Sequence, residues 1–420
     1  MTTSPVSPPA PSPAASAAPD PADARLAGLL AGARALQPRT VALRRALHRR
    51  PEQGLHLPAS QAAVLQALEG LPLEVRTGES VSSVVAVLEG ARPGPTVLLR
   101  GDMDALPLDE DTGLEYSSEV PGSMHACGHD THVAMLASSA RLLAERRDQL
   151  AGKVVFMFQP GEEGHHGARY MLEEGLLDVT GERPTRAFAL HITSTLRSGV
   201  VQCRPGAAMA SADVLRVTVS GRGGHASAPH NALDPVPAAA AMVGALQTMV
   251  TRSVSVFAPA VVTIAHIKAG TTNNVIPETA FLEGTIRTLS EATRSQVHEE
   301  IQRVCQHVAA AHGCTAEVSF EYGYPVTVND DVVGPGVVDL AAAVLGPQYA
   351  EPMLDPLMGA EDFSYVLREV PGAMAFLGAC PPDSTPQTAA ANHSNRVVFD
   401  ESAMAHGVAL YAAFALDALR

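Results

Sequence analysis

Residues 213–322 break the rhythm of the chain on either side of them. Outside this stretch, short apolar runs bounded by Gly and Pro alternate with helical patterns. "SSVVAVLEG", "TVLLRGDMDALP", "KVVFMFQP", "RAFALH" and "AMAFLG" read as buried strands. "LAGLLAGARALQPRTVALRRALHRRPE", "HVAMLASSARLLAERRDQL" and "ESAMAHGVALYAAFALDAL" carry apolar positions at helical spacing. Such alternation predicts an α/β domain with a mainly parallel sheet. Inside 213–322 the order is instead β-α-β-β-α-β, the split unit of the ferredoxin-like α+β sandwich. There Ser290 is placed to cap a helix and Gly313 to end it. The expected organisation is a tail over residues 1–23, an α/β domain in two segments (24–212 and 323–420), and a second domain at 213–322 inserted between them.

The chain of 420 residues is long enough for two cores. Tryptophan is absent, so those cores must be built mainly from Ala, Val and Leu. The net charge of −15 argues against sequence-independent binding to nucleic acid or to an anionic membrane. No apolar run approaches the ~20 residues of a membrane helix. "MTTSPVSPPAPSPAASAAPDPAD" at the start has neither periodicity nor a basic, apolar leader, and reads as a disordered tail. Cys127, Cys203, Cys305, Cys314 and Cys380 are odd in number and scattered, unlike a disulfide framework. A cytoplasmic location is the expectation that follows.

Ligands of open α/β sheets sit beyond the carboxyl ends of the strands. Three of the expected strands end in metal-binding or acid–base residues. "TVLLR" runs into Asp102 and Asp104, "KVVFMFQP" into Glu162 and Glu163, and "AFAL" into His191. Cys127 and His129, in "MHACGHDTH", fall in a loop just before a helix. Each residue has an ordinary reading when taken alone. "GEEG" suits a solvated turn, an isolated Cys127 suits a buried small hydrophobe, and His191 suits a satisfied core histidine. Together at one edge they imply a shared site. On an extended segment Glu162 and Glu163 would point opposite ways, one towards a cation and the other towards a substrate water. C-x-H on an extended loop can face one cation. His125, His132 and His393 stay open as further ligands at this point.

"RGDMDALPL", "MHACGHDTH", "GEEGHHGARYMLEEG", "ALHIT", "GRGGHASAPH", "TTNNVIPETAFLEGTIRT", "GAEDFSY" and "NHSNRVVFD" occur in an order and approximate spacing that resemble one family. It is the amidohydrolase branch of the co-catalytic metallopeptidases, which includes aminoacylases, hippurate hydrolases and plant auxin-conjugate hydrolases. The likeness spans about residues 25–420. It implies a two-metal catalytic domain interrupted by a ferredoxin-like lid that also dimerises. By motif position it implies Cys127, His129, Glu163, His191 and His393 as metal ligands, with His125 and His132 outside the shell. Glu162 takes the place of the general base, and Asp104 that of the acid orienting the site from behind. Asp102 stands where related peptidases carry a ligand histidine, and is left out. His225 resembles a lid histidine offered to the partner subunit's site to steady the oxyanion. Asn274 and Arg287 resemble residues that hold the substrate carboxylate. Thr131 and "GHHG" depart from a more glycine-rich pattern near the pocket.

The implied activity is metal-dependent hydrolysis of N-acyl or N-aroyl amino acids to a carboxylic acid and a free amino acid. A dipeptidase or carboxypeptidase of the wider family is the alternative, and a non-catalytic binding protein would have lost a base or a ligand. Two divalent ions per subunit are implied. Thiolate with imidazole suits zinc, while manganese, cobalt or nickel fits the remaining donors. The expected partners are a small-molecule substrate and a second copy of the chain.

Overall fold

The structure, a computed structural model, describes residues 25–420. The tail expected over residues 1–23 lies outside the described residues. Helices α1 (Leu29–Arg49) and α2 (Pro58–Leu68) lead into β1 (Leu73–Thr77), β2 (Val84–Glu89) and β3 (Arg92–Asp102). Next come α3 (His129–Ala144), β4 (Ala151–Gln159), α4 (Gly167–Glu173), β5 (Arg186–Thr193), β6 (Val201–Cys203) and β7 (Gly206–Met209). A second unit follows, with β8 (Asp213–Ser220), β9 (Gly224–His225), α5 (Pro235–Ser253), β10 (Ala260–Ala269), β11 (Val275–Ile276), β12 (Thr279–Thr288), α6 (Glu291–Ala311) and β13 (Thr315–Tyr322). The chain then returns through β14 (Thr327–Asn329), α7 (Val333–Leu345), β15 (Ala350–Pro352), α8 (Ser364–Leu367), β16 (Gly372–Gly378) and α9 (Met404–Ala418).

The large sheet has the order β1-β2-β4-β3-β5-β16-β6-β15. Its four central strands, β4, β3, β5 and β16, run parallel. β1, β2 and β6 are antiparallel to their inner neighbours. The expected mainly parallel sheet is therefore present, with antiparallel flanks that apolar periodicity does not reveal. The central strands are buried on both faces, which is why they read as unbroken apolar runs rather than alternating ones. One face is covered by α1, α3, α7 and α9, around Phe188, Leu190, Val408 and Phe414. The other face carries a smaller core from α4 and α8, with Met171, Phe363 and Val366. Phe188 stacks on Phe414 with ring centroids 4.7 Å apart. Each such fully buried side chain contributes about 1.5–3 kcal/mol.

The second sheet is wholly antiparallel in the order β10-β12-β8-β13, with a core shared by α5 and α6. Its strands alternate buried and open positions, as expected for a sheet packed on one face. Ser290 caps α6 by accepting a hydrogen bond from the Thr293 N–H. Two strands of chain join the units. Across them Ala212 N–H donates to Tyr324 O at 3.0 Å, and Ser211 N–H donates to Thr288 O at 2.8 Å. Asp213, at the entrance, accepts from Arg294, His298 and the Gly323 N–H.

Candidate functional site

The parallel strands deliver their carboxyl ends to one place. Asp102 pairs in register with Gln159 and His191 with Phe376, so β3, β4, β5 and β16 all finish at the same edge. Gly128 shapes the approach of the "CGH" stretch. It is left-handed, and a Cβ there would lie 2.4 Å from Ile192 Cγ2. Only glycine lets the chain turn this close to β5, and the turn allows Cys127 and His129 to face one point. α3 starts at His129 rather than at His132, because the helix begins directly after this glycine. His129 is thus the first helical residue and not a loop residue.

The structure brings Cys127, His129, Glu163, His191 and His393 together. Cys127 Sγ lies 3.3 Å from His191 Nε2 and 3.2 Å from His393 Nε2. His393 Nε2 is 3.3 Å from Glu163 Oε1, and His129 Nε2 is 4.0 Å from that same oxygen. The donors fall into two triads, Cys127–His129–His191 and Cys127–Glu163–His393, which share the thiol. His129 Nδ1 lies 2.9 Å from the Asp104 carbonyl and His191 Nδ1 lies 2.7 Å from the Ile192 carbonyl. A carbonyl can only accept, so both Nδ1 atoms carry a proton and both Nε2 atoms turn inward. Burial and the neighbouring His132 hold His191 well below the ordinary imidazole range, so it is neutral. His129 Nε2 and Glu163 Oε1 are buried without a hydrogen-bond partner. An inward-facing set of thiol, imidazole and carboxylate donors with orphaned atoms fits divalent metal ions.

His132 is engaged elsewhere. Its Nε2 accepts from the Ile192 N–H at 2.8 Å, so its Nδ1 donates to Asp102 Oδ1 at 2.5 Å. His125 lies away from the cluster, with its ring 6.3 Å from that of His48.

Glu162 and Glu163 sit in a turn after β4, not on the extended segment expected from the sequence. Their carboxylates do not point opposite ways, since Glu162 Oε2 and Glu163 Oε1 each lie 4.0 Å from His129 Nε2. Glu163 faces His393, while Glu162 faces Glu361 and Asp362. Asp104 sets this turn from below, its two oxygens accepting from the Glu162 N–H at 3.0 Å and the Glu163 N–H at 2.9 Å. Burial, together with the Glu361, Glu163 and Asp362 carboxylates, pushes the Glu162 carboxyl well above its usual range. A carboxylate so placed is a strong proton acceptor. Arg100 is the cation within this group of acids. It meets Asp102 at 2.6 Å, Glu361 at 2.7 Å and Asp362 at 3.2 Å, and is itself fully buried.

A cavity of about 600 Å³ opens over the cluster. Cys127, Glu162, Glu163, His191 and His393 form its polar floor, and Met209, Met353, Leu357 and Phe376 supply apolar wall. Arg287 projects into it from β12, and among the described residues no carboxylate forms an ion pair with it. His225 and Asn274 do not line the cavity. They are neighbours on the β9–β11 ribbon, where Ala226 N–H donates to Asn274 O at 3.1 Å, and both are exposed. Sequence reasoning missed Arg100, Gln159, Glu361, Asp362 and Tyr324. "GAEDFSY" was a signal for the two acids. Nothing in the sequence ties Tyr324 to the Glu162 turn.

Residues 98–417 match the profile of Peptidase family M20/M25/M40. A thermostable carboxypeptidase from Saccharolobus solfataricus is 37% identical over 380 residues, covering 90% of this chain and 94% of its own. An N-acetyl-L-cysteine deacetylase from Bacillus subtilis is 37% identical over 343 residues, covering 82% of this chain and 81% of its own. Among solved structures, a dinuclear metal binding peptidase of the M20 family from Bacillus subtilis superimposes with a TM-score of 0.80 at 32% identity, covering 92% of this chain and 99% of that one. Motifs, fold and relatives agree, and the chain belongs to Peptidase family M20/M25/M40.

Proposed function

We propose that this protein is a two-metal amidohydrolase that cleaves N-acyl amino acids into a carboxylic acid and a free amino acid. The observation that carries the reading is the Glu162 carboxylate, buried with raised basicity beside a set of five inward-facing donors. Cys127, His129, Glu163, His191 and His393 would hold the ions, with the Cys127 thiol in reach of both donor triads. Divalent ions held there would supply Lewis-acid polarisation of the amide carbonyl and would acidify the attacking water. Glu162 takes the proton from that water and passes it to the departing nitrogen. Asp104 keeps Glu162 and Glu163 in place by holding their backbone N–H groups. Arg287 receives the carboxylate of the amino-acid half, since it lines the cavity and no carboxylate among the described residues pairs with its guanidinium. Asn274 lies outside the cavity of its own copy and would join Arg287 only from the ribbon of a second copy.

The soft thiol among imidazoles favours zinc, and manganese, cobalt or nickel would suit the remaining donors. The second unit serves as a lid and as the contact of a homodimer. Its edge strand β10 is exposed along most of its length, with Ile267 at 52% exposure, and offers unpaired backbone to a second copy. In such a dimer His225 of one copy reaches the other's cavity and stabilises the oxyanion. All five cysteines are free, which supports a reducing, cytoplasmic setting. No described helix is long and apolar enough to cross a membrane.

The test is Glu162→Gln. Turnover of N-acetyl and N-benzoyl amino acids is expected to fall by about 10²–10⁴-fold, with two metal ions retained per chain. Retained turnover would sink the assignment. The carboxypeptidase relative supports a second reading, cleavage of a C-terminal residue. Dipeptides and blocked peptides in the same panel separate the two.

A further inference from the structure

The turn carrying Glu162 and Glu163 is held from two sides, and only one of them belongs to the large sheet. From below, Asp104 accepts from the Glu162 and Glu163 N–H groups. From above, the Tyr324 hydroxyl donates to the Glu162 carbonyl and accepts from the Gly164 N–H at 2.7 Å. Tyr324 comes from the returning crossover, two residues after β13 ends. Its backbone carbonyl is bonded to Ala212 on the outgoing crossover, and the preceding Gly323 N–H is bonded to Asp213 at 3.1 Å. The phenol therefore reaches from the junction of the two units into the turn.

The ring's direction is fixed. His166 stands edge-on to it with centroids 4.9 Å apart, and His166 Nδ1 is 2.9 Å from the Tyr365 hydroxyl. His166 adopts a left-handed backbone with φ of 58°, costly for a residue with a Cβ, and this brings its ring under Tyr324. Tyr324 is 7% exposed and borders the cavity, with its hydroxyl engaged by the turn. Packing alone would need no hydroxyl here, because a phenylalanine would fill the same space.

We propose that Tyr324 is a positioning residue for the reaction. Its hydroxyl, carried on the crossover between the units, aims the Glu162–Glu163 turn and couples that aim to the placement of residues 213–322. The proposal rests on the hydrolase reading above. Misplacing a reacting group by an ångström costs about 10²-fold in rate, and removing the hydroxyl leaves that side of the turn only its internal bonds, Gly164 N–H to Glu162 O and Gly167 N–H to Gly161 O.

The experiment is Tyr324→Phe, read by amide exchange and by kinetics. Exchange in residues 161–167 is expected to quicken at least about tenfold, with residues 100–104 unchanged. On N-acyl amino acids kcat is expected to fall about ten- to hundredfold, with KM within about threefold and metal content intact. Unchanged exchange overturns the proposal. So does faster exchange with kcat preserved, a loss carried by KM, or a loss explained by missing metal. A reading on the wild-type protein guards against a variant that folds poorly. The Gly164 amide must exchange as slowly as those of Glu162 and Glu163, and a fast Gly164 amide refutes the contact. Wild-type protein that hydrolyses nothing in the panel refutes the hydrolase reading and with it the catalytic role, while exchange still decides whether the hydroxyl holds the turn.

Discussion

Replacing Asp213 by Asn should destabilise the protein by an amount that shrinks as the solution is acidified. Asp213 stands where the chain enters the second unit, and its side chain is sealed from solvent. Burial alone would raise its carboxyl. Hydrogen bonds from Arg294, at 2.5 and 2.8 Å, and from His298, at 2.9 Å, outweigh that and hold it at about 2, against an ordinary 3.8. A depressed carboxyl stabilises the fold above its unfolded value and loses that contribution as pH falls through its folded one. With about 1.4 kcal/mol for each tenfold in proton affinity, the ionised form is worth about 2 kcal/mol at pH 7. By the same relation, about 1 kcal/mol is left at pH 3. Urea unfolding followed by circular dichroism at pH 7, 4 and 3 measures the difference between wild type and Asp213→Asn. The gap should be at least about 2 kcal/mol at pH 7 and close by about half at pH 3. An equal gap at all three pH values would show that Asp213 acts through shape and not charge.

Two further outcomes follow from the cavity. Arg287→Ala should raise KM for N-acyl amino acids by about ten- to hundredfold, the worth of one charge-assisted contact, with a smaller change in kcat. Esterified substrates lacking the free carboxylate should not feel the change, and equal sensitivity of both substrate types would remove Arg287 from carboxylate binding. Cys127→Ser replaces the donor common to both triads with a harder, less acidic one. Bound metal after dialysis should drop below two per chain, with affinity weakened at least about tenfold, and full stoichiometry by elemental analysis would remove Cys127 from the ligand set.

The strands that converge on the site were legible because they are buried on both faces. "VLL", "VVFMF" and "AMAFLG" are apolar without a break, and only a central strand can use such runs. β1 was not legible. It lies at the sheet edge with mostly exposed side chains, so burial imposes no pattern on "LEVRT". Among the site residues, those joined to strand ends could be read in sequence, as with Glu162, Glu163 and His191. The placement of His393 beside Cys127 could not be derived, since it depends on a tertiary contact across 266 positions, and only the family resemblance pointed to it. Arg100 is hidden for another reason. An arginine inside an apolar strand looks like an interruption until its partners, Asp102, Glu361 and Asp362, are seen around it. The pair Glu162–Glu163 was expected to point opposite ways by strand alternation, but it sits in a turn and both carboxylates come within 4.0 Å of His129 Nε2, because a turn imposes no alternation.

Strand β16 lies between β5 and β6, parallel to the first and antiparallel to the second. During synthesis β5 and β6 are complete by Cys203, yet the strand that joins them does not begin until Gly372. At about 5–20 residues per second, a ribosome takes roughly 10–30 s to cover that interval. Throughout it, two apolar sheet edges stand open beside each other while residues 213–322, with their own core, can fold. The nascent chain thus carries a finished second unit attached to an unfinished large sheet. A ribosome stalled before Gly378 leaves a product prone to pair with other chains, so chaperone dependence should be concentrated in the first segment and relieved by the last fifty residues or so.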